Sequence, residues 1–252
     1  MVMNSRNNEK KIAIVGAGIA GLQCAKILIN NGFNVTVFDK ESEVGGRMRT
    51  SEIDGFLLDH GFHVLQTAYP ETSKQIDYKS LGCKPFKPGA RVVLVKDGKA
   101  RMKLMADPWR DPLRGVLSSL NGFLSIKDLL KIGLMRLSIT KGKIDQVFDG
   151  GDGTTLDFLQ QRKLSDKAIN RFFLPLFGGI FLESKLQTSE RLFRFIFRMM
   201  AKGKMVLPKE GIHSVPLSIA KEIGQDNIRL GVEISRIEEK ALRFRGEAHR
   251  FD

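Results

Sequence analysis

The chain has 252 residues, 42% of them apolar and 27% charged, which is typical of a soluble globular protein with one large domain or two modest ones. Its formal net charge of +13 favours acidic partners. No recognisable nucleic-acid-binding module is present, so we expect no nucleic acid partner. No stretch reaches the roughly 18 unbroken apolar residues of a membrane span, and residues 1–11 lack the apolar core of a secretory signal. These features predict a cytoplasmic location.

The two cysteines, Cys24 and Cys83, do not form a C-x-x-C pair, so neither a disulfide framework nor a redox motif is predicted. Cys24 falls in the first predicted helix, where we expect a small buried apolar residue. No pattern of ligands predicts a metal site.

A glycine motif follows the first predicted strand, residues 12–15, and precedes a predicted helix. Gly16 permits a tight turn, Gly18 leaves room for a diphosphate to reach backbone N–H groups, and Gly21 lets the helix pack close to the sheet. Phosphates at this place would face the positive end of the helix dipole. The motif therefore predicts binding of a dinucleotide.

The second predicted strand, residues 35–38, ends at Asp39, which comes 18 residues after Gly21. This is near the roughly 20 residues expected for the acid that binds a ribose hydroxyl. Strand, glycines, helix, strand and acid in this order predict a Rossmann-like domain with a parallel sheet. Asp39 also suits NAD, so an NAD(P)-dependent oxidoreductase is an alternative.

A second glycine segment, Gly45-Gly46-Arg47, lies just after Asp39. Two adjacent glycines let the backbone approach a bulky ligand, and the arginine fork can donate to a phosphate or a flavin oxygen. A glycine turn with a solvated arginine is the simpler interpretation. The segment 55–63, which contains Gly61, by itself predicts a strand that ends in a turn.

Together these segments resemble the FAD-dependent amine oxidase and phytoene desaturase superfamily, and residues 61–70 resemble its protoporphyrinogen-oxidase-like bacterial branch. The matching positions are Gly16, Gly18, Gly21, Asp39, Gly45, Gly46, Arg47, Thr50, Gly55, Phe56, Asp59 and Gly61. The resemblance implies that FAD is the cofactor and that hydride passes from the substrate to the flavin. It also implies that Ile234 packs on the adenine, and it assigns no catalytic acid or base.

The middle of the chain predicts a strand at 91–95 with a hairpin turn, and helices at about 125–139, at 156–162 and from Ser189. Thr154 and Asp157 have the spacing of a capping box. The helix at 189–202 is amphipathic and basic. It predicts either a peripheral membrane contact or a core-facing helix whose arginines lie in water.

Residues 172–182 are rich in aromatic side chains, which fits either core filling or an apolar substrate tunnel. After residue 207, a P-x-x-G turn precedes a predicted helix at 215–223 and a predicted strand at 228–237. We expect His213 and His249 to lie at the surface, and the sequence predicts no functional role for either.

The predicted fold is α/β, and α+β overall. It has a Rossmann-like FAD-binding domain at 1–69 and 206–252, with an inserted, mixed α/β and largely helical substrate domain at 70–205. Since members of the resembled superfamily continue further, the resemblance implies an N-terminal portion, truncated at the C-terminus.

The predicted function is that of an FAD-dependent oxidoreductase, of desaturase or oxidase type, acting on an apolar or amine-type small molecule. A non-catalytic, truncated nucleotide-binding remnant is an alternative. The sequence gives neither the substrate nor the oligomeric state.

Overall fold

A computed structural model describes residues 10–61 and 63–252; residues 1–9 and Phe62, which belongs to the 61–70 resemblance, lie outside the described residues. The strands are β1 (Lys11–Val15), β2 (Asn34–Phe38), β3 (Thr50–Ile53), β4 (Phe56–Asp59), β5 (Leu65–Gln66), β6 (Lys84–Pro85), β7 (Gly89–Lys96), β8 (Lys99–Ala106), β9 (Met205–Leu207), β10 (Ile228–Arg229), β11 (Arg236–Glu238), β12 (Ala241–Phe244) and β13 (Glu247–Arg250).

The helices are α1 (Ile19–Asn30), α2 (Pro70–Gln75), α3 (Pro112–Ser119), α4 (Ile126–Thr140), α5 (Thr155–Gln161), α6 (Asp166–Ala168), α7 (Leu174–Phe181), α8 (Glu190–Lys202) and α9 (Ser214–Ile223), with a π-helical turn at Ile169–Phe173. The chain divides into two compact units. Unit 1 holds the described residues up to Leu65 together with Ser73–Pro85 and Val206–Asp252, and unit 2 holds Gln66–Thr72 and Phe86–Met205.

Unit 1 is built on a three-stranded parallel sheet in the order β1, β2, β10. Helix α1 connects β1 to β2, as the helical crossover of a parallel pair requires. Val35 and Val37 of β2, Leu22 and Ala25 of α1 and Ile219 of α9 lie in one buried cluster. The predicted Rossmann-like unit with a parallel sheet is therefore confirmed.

Unit 2 carries the antiparallel hairpin β7–β8 and a group of helices. The predicted helices at 125–139 and 156–162, and the helix starting after Ser189, are present. The predicted capping box is confirmed, because Thr154 and Asp157 satisfy each other's backbone N–H groups.

Residues 172–181 are helical, and their aromatic side chains pack in the core of unit 2, whereas Leu182 follows the helix and is exposed. Phe173 and Phe177 are fully buried, and both contact the fully buried Phe193 of α8. Ring pairs at such separations add about 1 kcal/mol each beyond the area they bury. This observation favours the core-filling interpretation for these two side chains.

One arginine of helix α8 is buried, although the sequence predicted that a core-facing helix here would keep its arginines in water. Arg198 is only 3% exposed, although Arg191 on the same helix is solvent-accessible and pairs with Asp152. Since Arg198 comes one turn after Arg194 and two turns after Glu190, it lies on the side of α8 that packs inward.

Two predictions made from the sequence are wrong, one about a strand and one about a cysteine. The predicted strand at 228–237 is two short strands, β10 and β11, separated by a turn containing Gly231, which has φ +67°. Cys24 is exposed, because α1 turns Leu22 and Ala25 toward the core and Cys24 away from it. In residues 10–61 and 63–252, no helix combines the length and the apolar character needed to cross a bilayer.

Candidate functional site

The glycine motif forms the turn between β1 and α1. Gly16 has φ +107°, a conformation that favours glycine, and its N–H donates to the carbonyl of Phe38 at the end of β2 (2.7 Å). A side-chain carbon on Gly21 would collide with the carbonyl oxygen of Gly16. These two glycines therefore let α1 start directly against the end of the sheet.

Gly18 has a different task, because its surroundings are open. It is the N-cap of α1, with φ −73° and ψ 175°, and a carbon added there would meet no atom within 4 Å. No side chain caps α1, and its first turn carries no acidic residue. The positive end of the helix dipole thus faces free space, and a diphosphate fits this position.

Asp39 is anchored beside the glycine turn. Its Oδ2 accepts from the N–H of Ala17 (2.6 Å) and its Oδ1 accepts from the N–H of Glu41 (2.9 Å). A carboxylate has about four acceptor positions, so both oxygens keep capacity for a further donor. This geometry suits a carboxylate that accepts from ribose hydroxyl groups.

The second glycine segment lies against the first. Gly45 donates its N–H to Ala17 O (2.8 Å) and forms a parallel bridge with Gly18. Gly45 and Gly46 have φ +109° and +54°, and a carbon added to Gly46 would lie 3.5 Å from Gly18 Cα. The absence of a side chain at Gly46 keeps the space beside Gly18 clear, whereas a carbon on Gly45 would collide with Met48 O at 2.8 Å.

The remaining site residues predicted from the sequence are Arg47, Gly61 and Ile234. The side chain of Arg47 is exposed, and Gly61 packs so closely that a carbon on it would be 3.0 Å from Arg47 O. Ile234 is half-buried in a cluster with Phe38 and Val232, and the N–H of Val232 donates to Asp39 O (2.9 Å). Unit 1 thus brings Gly16, Gly18, Gly21, Asp39, Gly45 and Gly46 together at the glycine loop and the end of β2, and Ile234 packs on Phe38 of β2. Among the described residues, no contact places Arg47 or Gly61 on this loop, and their part in the site stays a prediction.

The structure adds a hydrogen-bonded network that holds the second glycine segment. Thr50 Oγ1 donates to Asp59 Oδ1 (2.6 Å), the same oxygen accepts from Ile212 N (3.0 Å), and His213 N donates to Thr50 Oγ1 (3.1 Å). The network ties β3 and β4 to the turn before α9. Although Thr50 and Asp59 belong to the recognised motif, their partners cannot be read from it.

His213 is the residue that the sequence interpretation missed. It is half-buried, and its Nε2 lies 2.9 Å from the carbonyl of Val44, 169 positions earlier in the chain. Because a carbonyl only accepts, Nε2 carries the proton in this bond. The ring also borders Gly45, since a carbon there would be 3.2 Å from His213 Cδ2. His213 therefore fixes the backbone that leads into Gly45 and Gly46.

We expect His213→Phe to weaken ADP binding about tenfold, because the ring volume remains but Val44 loses its donor. His213→Gln should stay near the unchanged protein, since its amide offers an N–H at a similar reach. Isothermal titration with ADP measures the affinities, and urea unfolding checks that both variants fold. Equal affinities for the two variants would contradict the role given to this hydrogen bond.

No group of three or more His, Cys, Asp or Glu side chains in the described ranges is arranged to hold a metal ion. His60 instead forms a hydrogen bond with Ser51 Oγ through Nε2 (2.6 Å). The chemistry of the site is therefore built from glycine backbone, one anchored carboxylate and an exposed arginine.

Comparison with known proteins identifies the family of this chain. The model of the family described as flavin containing amine oxidoreductase matches residues 19–248. Protoporphyrinogen oxidase 2, chloroplastic/mitochondrial, of Arabidopsis thaliana is 30% identical over 173 residues, which is 68% of this chain and 32% of that protein. A 4,4'-diapophytoene desaturase (4,4'-diapolycopene-forming) of a Methylomonas species is 48% identical over 54 residues, which is 21% of this chain and 11% of the desaturase.

Among solved structures, an oxidoreductase from Methanosarcina mazei has a TM-score of 0.66 and 24% identity, covering 95% of this chain and 57% of that one. This likeness shows the fold. The chain spans about a third of the length of the protoporphyrinogen oxidase. With the family model matching from α1 to β13, this chain belongs to the flavin containing amine oxidoreductases, a family whose cofactor is FAD.

Proposed function

We propose that this chain binds the ADP half of FAD through unit 1 and acts as part of an FAD-dependent oxidoreductase of desaturase or oxidase type. The observation that carries the proposal is the uncapped N-terminus of α1 beside Gly18, with Asp39 anchored at its edge. The FAD-binding domain would be 1–69 with 206–252, and the substrate domain would be 70–205.

The site residues would hold different parts of the cofactor. The backbone around Gly16, Gly18, Gly45 and Gly46 would receive the diphosphate, Asp39 the ribose, and Ile234 the adenine. Arg47 has an exposed guanidinium that would donate to a phosphate or flavin oxygen. When bound, FAD accepts the hydride equivalent of a substrate C–H bond. We assign no side chain as acid or base.

An apolar substrate is favoured over an amine by a cavity within unit 2. It has a volume of about 500 Å³, and Trp109, Leu130 and Leu134 are among the residues that line it. No charged side chain lines it, and its hydroxyl groups come from Ser118 and Ser119. Since a protonated amine needs a polar or charged partner when it leaves water, this lining suits a hydrocarbon-like molecule.

A peripheral membrane contact through 189–202 stays a prediction, and the structure restricts how it could be made. Phe193 and Met199 of α8 are buried, and Ile196, Phe197 and Met200 pack against the core of unit 2. Because these apolar side chains pack in the core, a membrane contact through this helix would depend on its basic residues and on the exposed Leu192.

The absorbance spectrum of the purified chain tests the proposal, because bound flavin gives two visible bands. We expect these bands, or, in a chain purified without flavin, saturable binding of ADP to unit 1. A colourless chain that binds NADH but not FAD would favour an NAD(P)-dependent enzyme. A folded chain that binds none of these nucleotides would favour a non-catalytic remnant and overturn the proposal.

A further inference from the structure

A second cavity in unit 2 lies where the end of α4 meets α8, and it is basic. Its volume is about 500 Å³, and its lining includes Lys141, Gln146, Arg194 and Arg198 but no acidic residue. Three cationic side chains around one cavity produce a positive potential that favours anions.

Arg198 is the deepest of these cations. Its Nη1 donates to Ile139 O (2.7 Å) and Lys141 O (2.8 Å), and its Nη2 donates to Gly142 O (2.5 Å). These acceptors are neutral carbonyl groups at the end of α4, and no described carboxylate forms an ion pair with this guanidinium. The dipole of α4 offsets about half a charge, so part of the positive charge of Arg198 stays uncompensated beside the cavity.

Arg194 stands one turn earlier on α8 and has a donor without an acceptor. Its Nε is buried and makes no hydrogen bond. Its nearest carboxylate partner is Glu190, with Nη1 and Oε1 3.8 Å apart, too far for a hydrogen bond. A buried N–H with no partner destabilises a structure. The Arg194 side chain is 22% exposed as a whole, so an anion in the cavity would meet its outer N–H groups rather than this buried Nε.

We propose that this cavity binds an oxyanion of the phosphate type, held by the guanidinium groups of Arg194 and Arg198 with Lys141 at the rim. Guanidinium groups match the spacing of phosphate oxygens, and their N–H donors bind such oxygens in pairs. The phosphate has two possible sources, free phosphate or the headgroup of an anionic phospholipid. The site lies within unit 2 and is independent of the proposed cofactor site.

The first test titrates inorganic phosphate into the full chain at constant ionic strength, with chloride as the reference anion. We expect saturable heat and a rise in melting temperature for the unchanged protein, and an affinity for phosphate at least about tenfold lower in Arg194→Met with a smaller rise in melting temperature. Arg191→Met is the matched control, because Arg191 lies on the same helix as Arg194, pairs with Asp152 of the loop before α5 and does not line the cavity. Arg198 is left unchanged, since its loss would free three carbonyl groups at the end of α4.

The second test separates the two sources. The unchanged protein, Arg194→Met and Arg191→Met are each sedimented with phosphatidylcholine vesicles that contain or lack phosphatidic acid, and the bound fraction is measured. Arg194-dependent binding to phosphatidic acid that inorganic phosphate displaces identifies the lipid headgroup. Saturable binding of phosphate without vesicle binding identifies the free ion. If phosphate and phosphatidic acid bind equally well to the unchanged protein and Arg194→Met, or bind to neither, the cavity is not an oxyanion site.

Discussion

Replacing Gly18 with valine is expected to reduce binding of ADP and FAD at least about a hundredfold while leaving the fold intact. The backbone at Gly18 has φ −73° and ψ 175°, which valine adopts readily, and the added carbon would meet no protein atom within 4 Å. The side chain would instead occupy the space in front of the α1 N-terminus. The free energy of unfolding should therefore change by no more than about 0.5 kcal/mol.

A change at Gly21 provides the contrast. Alanine is favoured over glycine inside a helix by up to about 1 kcal/mol, but a carbon at Gly21 would collide with backbone of Gly16. Overpacking of this kind costs roughly 1–3 kcal/mol, so Gly21→Ala should lower stability as well as binding. Titration with ADP and urea unfolding separate the two effects. Unchanged nucleotide affinity in a folded Gly18→Val protein would remove Gly18 from the site.

The second large effect is expected at Asp128, a carboxylate that joins two helix starts in unit 2. It is 2% exposed and accepts from Ser125 Oγ (2.6 Å), Ser165 N (3.0 Å) and Ser165 Oγ (2.8 Å). Both serines are N-caps, of α4 and α6. Asp128→Ala would remove the acceptor of three partly buried hydrogen bonds that position both N-caps, and we expect a loss of about 2 kcal/mol in the free energy of unfolding.

The contribution of Asp128 should depend on pH. Burial raises the pKa of this carboxyl group, but the hydrogen bonds from Ser125 and Ser165 and the charge of Lys131 outweigh burial, and the pKa ends below its ordinary value of 3.8. The unfolded chain therefore takes up the proton first as the pH falls. The stabilisation is complete well above pH 3.8 and declines as the pH falls from there through the folded-state pKa.

Urea unfolding at neutral and acidic pH checks this expectation. The stability difference between the unchanged protein and Asp128→Asn should be larger at neutral pH than at low pH, because the asparagine does not titrate. Asp149→Asn is the control for loss of a surface charge, since Asp149 is exposed, and it should stay within about 0.5 kcal/mol at neutral pH. A pH-independent difference at Asp128 would show that its charge does not contribute.

The sequence predicted the parallel unit of β1, α1 and β2 because its signals are local. Glycines at fixed spacing, an apolar strand on each side and an acid at the second strand's end are all contained in residues 11–39. The capping box at Thr154 is similarly short-range, and it is confirmed. Apolar periodicity identified α4 and α8 but did not reveal that Arg198 is buried, because its three carbonyl partners come from residues 139–142.

The break between β10 and β11 was missed for a related reason. Residues 228–237 alternate well enough for one strand, yet the backbone N–H groups of Gly231 and Val232 donate to the carbonyls of Glu41 and Asp39. This pairing with the loop after β2 takes the chain out of a regular ladder. Long-range hydrogen bonds of this kind leave no periodic trace in either segment.

What the sequence determined by itself is the chemistry of the loop at Gly16–Gly21, because Gly16 needs a positive φ, Gly21 a close approach and the neighbouring strands follow from local pattern. Only the tertiary structure decided which distant groups support that loop and which charges are buried. His213 forms a hydrogen bond with Val44, 169 positions earlier, and Arg198 of α8 donates to the carbonyl groups at the C-terminus of α4. Such contacts depend on where packing brings the backbone carbonyl groups, and every residue carries one, so the sequence does not mark which of them will be used.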